Sequence, residues 1–138
     1  MSCYSSKSDV CCPISCAGIK LFPTQLILIK RCTPIRHACD NVEFNIFQTT
    51  LSPTSTELPK GFITVMNNST ECFMTVNVTE NGNLPVPYQN IPPGGSITIE
   101  VNDLVSVDIV CNDGNDMPVA GAFCEGTFEA DLQYSITK

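Results

Sequence analysis

At 138 residues the chain is long enough for one domain with its own hydrophobic core. A formal net charge of −7, seven basic residues and no basic stripe argue against nucleic-acid binding. The longest apolar run, Leu26 to Ile29, is too short for a membrane span or a signal-peptide core. A chain made without a signal peptide and held off membranes is therefore expected.

Residues 1–16 read as a flexible connector, Ser-rich, with Pro13 and the cysteines Cys3, Cys11, Cys12 and Cys16. Fully extended, such an arm reaches about 53–58 Å. The body that follows, residues 17–138, should have a radius of gyration near 14 Å. The arm can thus extend past its own domain onto a neighbour.

Cys11 and Cys12 are adjacent. Neighbouring Cα atoms lie about 3.8 Å apart, below the usual disulfide range, so such a pair rarely bridges itself. In extended chain their side chains point to opposite sides, which suits them to hold two partners at once.

Beyond the arm the apolar pattern has period two. Segment 19–32 is more continuously apolar and is expected to form a strand pair broken at Pro23. Val42, Phe44 and Ile46 alternate, as do Ile63 with Val65, and Cys72, Met74, Val76 and Val78. Ile97–Val101, Val105–Cys111 and Phe128–Ile136 alternate with polar residues throughout, the mark of half-buried strands. Asn67-Asn68-Ser69, Asn81-Gly82-Asn83, Pro92-Pro93-Gly94-Gly95 and Asn112–Asn115 separate the runs with turn chemistry. Seven to nine short strands without a capped helix predict an all-β fold, a jelly-roll β-sandwich carrying an extended N-terminal connector.

Nine cysteines are many for a reduced protein, and an odd number leaves at least one without a partner in its own chain. Cys72 and Cys111 are in phase with apolar strand positions, which predicts core residues or an intrachain bridge. Cys124 is expected in a loop just before the last strand, open to another copy's arm.

Two other chemistries compete. Cys11, Cys12, Cys16, Cys32, His37 and Cys39 are soft ligands, so a monomeric metal- or ligand-binding β-sandwich with arm cysteines on Zn²⁺ is the alternative. Only Cys12-x₃-Cys16 has knuckle spacing, however, and no metal or other cofactor is expected. Catalysis would have to use His37, the sole histidine, which reads as an exposed loop residue; an enzyme is not expected. The acceptor patterns at Asn67, Asn68 and Asn77 read as turn and strand residues rather than glycosylation sites.

Charge divides unevenly: residues 1–60 carry six bases and four acids, residues 61–138 one base and ten acids. Solubility accounts for this; head-to-tail steering between copies is the sharper reading.

Val10-Cys11-Cys12-Pro13-Ile14-Ser15-Cys16 resembles the connector of the Bacillus endospore-appendage subunits, which form fibres on the spore surface. Gly61–Val65, the Pro93–Val101 turn and strand, Val105–Ile109 and Gly126–Ile136 resemble that family's jelly-roll body. The resemblance implies a structural subunit whose arm inserts into preceding copies and is locked there by disulfides. Cys11 and Cys12 would be donors, with Cys16 and Cys124 as acceptors. Cys3, Cys32, Cys39, Cys72 and Cys111 are further disulfide candidates. Family members carry a cysteine inside the last strand where this chain has Glu129. The surplus cysteines also fit an accessory, ring-forming member. The implied partners are copies of itself and related appendage subunits, at the spore surface.

Overall fold

The structure is a computed structural model that describes residues 24–49 and 58–137. The connector with Cys3, Cys11, Cys12 and Cys16, and the expected break at Pro23, lie outside the described residues.

Eight strands form: β1 (Thr24–Ala38), β2 (Phe44–Gln48), β3 (Lys60–Asn67), β4 (Phe73–Glu80), β5 (Val86–Ile91), β6 (Ser96–Val101), β7 (Leu104–Asn112) and β8 (Phe123–Thr137). They make two four-stranded sheets, ordered β1-β8-β3-β6 and β2-β7-β4-β5, with every pair antiparallel. Each connection crosses from one sheet to the other except the β4–β5 turn. That winding is the double Greek key of a jelly roll, as the periodicity predicts.

Alternation builds the core. Ile63 and Val65 of β3, Val76 of β4, Val107 and Ile109 of β7, and Phe128 and Leu132 of β8 point inward and are all but inaccessible to water. The Phe47 and Phe128 rings meet across the two sheets, centroids 5.9 Å apart. Offset aromatic contact of this kind adds about 0.5–1.5 kcal/mol to area burial.

Two elements depart from the sequence expectations. First, β1 runs unbroken through Pro34 to Ala38, pairing with β8 over its whole length. A proline is tolerated because β1 is an edge strand, where the missing N–H costs no ladder bond. His37 therefore lies in a strand, not a loop, stacked on Phe44 at 4.1 Å. Second, β5 carries no alternating signal. Pro87, a left-handed Asn90 (φ 56°) and a bulge opposite Met74 and Val76 break its pattern, as suits an exposed edge.

Candidate functional site: sulfur chemistry and the outer sheet face

Five of the nine cysteines lie among the described residues. Four are consumed inside the chain: Cys39 is bonded to Cys72, and Cys111 to Cys124, with Cα separations of 6.3 and 6.2 Å. All four are buried in the main core. The in-phase reading of Cys72 and Cys111 agrees with this placement. Cys124 sits differently from its expected loop: it is the second residue of β8, fully buried, and bonded to Cys111. The reason is register. Cys124 lies opposite His37 on β1, within the β8 ladder, and its side chain falls on the core side with Phe128 and Ala130.

Cys32 is exposed and is the one unpaired cysteine among the described residues. Period-two alternation turns Lys30, Cys32, Pro34 and Arg36 of β1 away from the core. The registers of β1, β8, β3 and β6 then set transverse rows on this outer face. One row reads Cys32, Glu129, Thr64, Thr98; the next reads Lys30, Asp131, Phe62, Glu100. The Thr64 and Thr98 hydroxyls are 3.0 Å apart. Lys30 Nζ lies 3.4 Å from the Asp131 carboxylate, and Arg36 pairs with Glu125 while its guanidinium covers the Phe123 ring at 4.4 Å.

Between the two rows lies a shallow depression of about 430 Å³, walled by Lys30, Cys32, Phe62, Thr64, Glu129 and Asp131. Phe62 is 52 % exposed, a large apolar ring left without cover on a polar face. Such a surface can receive an extended segment: a sulfur to bond, a ring to pack against and carboxylates to attract positive charge. From sequence Cys32, at the end of the apolar segment 19–32, is a general disulfide candidate and one of several soft metal ligands. The strand's continuation to Ala38 is what puts Cys32 in the middle of an exposed face.

Other singled-out residues have structural duties. Asn67 is completely buried, and its amide nitrogen donates to the carbonyls of Cys72 (2.8 Å) and Ile91 (2.9 Å). Its side-chain oxygen accepts from the Ser69 amide at 2.9 Å. Asn77 donates to Glu43 at 2.7 Å. Both match the turn-and-strand reading. No group of three metal-ligating side chains converges among the described residues.

The described body is thus a jelly roll with two internal disulfides and, among the described residues, one exposed thiol on a sheet face. The chain belongs to the endospore appendages family, whose sequence pattern it matches over residues 6–136. It is a structural protein of spore-surface appendages and not an enzyme. No curated protein matches it by sequence. Among solved structures it is similar to one described as "Bacillus endospore appendages form a novel family of disulfide-linked pili", at 13 % identity. That match has a TM-score of 0.56 and spans 83 % of this chain and 89 % of that one. Looser likenesses are infectious bursal disease virus Gt strain (9 % identity, TM-score 0.46, 83 % of this chain, 33 % of that one) and FLHE (8 %, 0.41, 83 % and 98 %).

Proposed function

We propose that this chain is a fibre subunit that polymerises with copies of itself through arm insertion and intermolecular disulfides. Cys11 and Cys12 of the connector are the donors, one to each of two neighbours. The observation that carries the reading is the sorting of sulfur. Among the described residues, four cysteines are buried and bonded in pairs, while Cys32 alone is exposed on an outer face.

Cys32 is accordingly the favoured acceptor on the body. Cys16, at the root of the connector, remains a second acceptor. Cys124 accepts only by exchange with its bond to Cys111, which its burial hinders. Each cross-link typically adds about 2–4 kcal/mol on the chain-entropy model.

Electrophoresis in boiling detergent without reductant tests this. Wild type should give a high-mass ladder that thiol collapses, and both Cys11→Ser/Cys12→Ser and Cys32→Ser should lose it. A ladder that survives Cys32→Ser but not the arm substitution moves the acceptor to Cys16. A ladder that survives both sinks the arm mechanism, and a monomer holding one zinc per chain favours the metal-binding alternative.

A further inference from the structure

The two internal disulfides share one end of the sandwich. Connections 39–43, 68–72, 92–95 and 113–122 gather at that end, and connections 81–85 and 102–103 at the other. Cys39 follows β1 of the first sheet and is bonded to Cys72, just before β4 of the second. Cys111 belongs to β7 of the second sheet and is bonded to Cys124 in β8 of the first. Each bridge therefore ties one sheet to the other.

They are also neighbours. The Cys39 amide donates to the Ala122 carbonyl at 3.1 Å and the Asn41 amide to that of Cys111 at 2.8 Å. The sulfurs of Cys39 and Cys72 each lie 3.6 Å from a carbonyl oxygen, of Asn112 and Phe123, the residues adjoining Cys111 and Cys124. At the far end no bridge lies among the described residues. There the sheets are joined by weaker links, such as the Leu104 amide on the Pro59 carbonyl at 2.9 Å.

We propose that the two bridges are a redox-set clamp, redundant with one another, added to one end of a body that folds without them. Reduced, all four residues are small apolar groups that fit the core they already occupy, so packing can bring them together before any bond exists. Each bridge then forms as two thiols give two protons and two electrons to a small-molecule disulfide, which leaves as two thiols. Because both bridges prevent the same movement, separation of the sheets at that end, either one alone suffices to hold it. The far end opens first in both redox states.

Hydrogen–deuterium exchange on the full chain tests the clamp, with Cys3, Cys11, Cys12, Cys16 and Cys32 replaced by serine in every sample, the wild-type body included, so that no intermolecular bond is made or broken and the outcome is independent of the intermolecular reading. The reporters are the hydrogen-bonded amides of Cys39, Asn41, Asn68 and Glu125. Cys39→Ala/Cys72→Ala and Cys111→Ala/Cys124→Ala should each exchange within about threefold of wild type there. Removing all four cysteines, or reducing wild type in place so that no cavity is made, should accelerate them at least about tenfold while Ile63–Val65 stay protected. Acceleration by one two-alanine variant as large as by all four substitutions overturns the redundancy. Loss of protection at Ile63–Val65 in the reduced wild type overturns the claim that the body folds without its bridges.

Discussion

Cys32 in β1 and Glu129 in β8 are direct cross-strand partners on the solvent face of the first sheet. The arrangement leaves that face with one thiol among the described residues, flanked by a carboxylate rather than by a second thiol. A maleimide should therefore label Cys32 rapidly in the Cys11→Ser/Cys12→Ser chain under native, non-reducing conditions. Cys39, Cys72, Cys111 and Cys124 should be labelled only after reduction and unfolding. Peptide mass spectrometry reads both outcomes, and prompt native labelling of Cys124 would show that its bond to Cys111 is absent in solution.

Asn67 ties connection 68–72 to the end of β5 with three side-chain bonds and makes two backbone bonds besides, its N–H donating to the Gly95 carbonyl and its carbonyl accepting from the Gly94 N–H. Asn67→Ala strands two carbonyls and one amide in a buried site. Unsatisfied groups of that kind cost about 1–3 kcal/mol each before relaxation. A loss of about 2–4 kcal/mol in denaturant unfolding is expected, and a change under about 0.5 kcal/mol would mean that water replaces the amide.

Gly126 of β8 lies opposite Asn67 of β3. A Cβ there would collide with the Met66 carbonyl oxygen and press on Met74 Cε at 3.0 Å. Backbone cannot yield as a flexible side chain does, so Gly126→Ala should cost about 3 kcal/mol or more. Thermal unfolding would detect this as a drop in Tm, whereas an unchanged Tm requires the two strands to stand further apart than they do here.

By contrast Arg36 and Glu125, though paired, are well exposed, with side-chain accessibilities of 64 % and 48 %. Water screens such pairs. Arg36→Ala should change stability by no more than about 1 kcal/mol, including its contact with Phe123. A larger loss on chemical denaturation would mean that the pair is covered in the assembled state.

Strands whose two faces differ in polarity were plain in the sequence: Ile97–Val101, Val105–Cys111 and Phe128–Ile136 all fall within β6, β7 and β8. The two that were missed, the second half of β1 and all of β5, contain Pro34 and Pro87 and lie on sheet edges, where proline is allowed but pattern fades. The sulfur pairing was less legible. Cys39 and Cys72 are 33 residues apart, and only the winding of the sheets brings β1's end against β4's start. Alternation put Cys72 and Cys111 in the core. It could not settle Cys124, because β8 begins several residues before its apolar period becomes visible. The exposure of Cys32 followed from the same hidden extension of β1.

Cys32 lies in β1, the first of the described strands. With Cys32 as the anchor for an incoming arm, tension enters each subunit there and leaves through Thr24. The covalent cable through the fibre is then a string of short single-strand segments joined by sulfur, with the sandwich riding alongside. A body could unfold under load, or be cut in a far loop, without parting the filament.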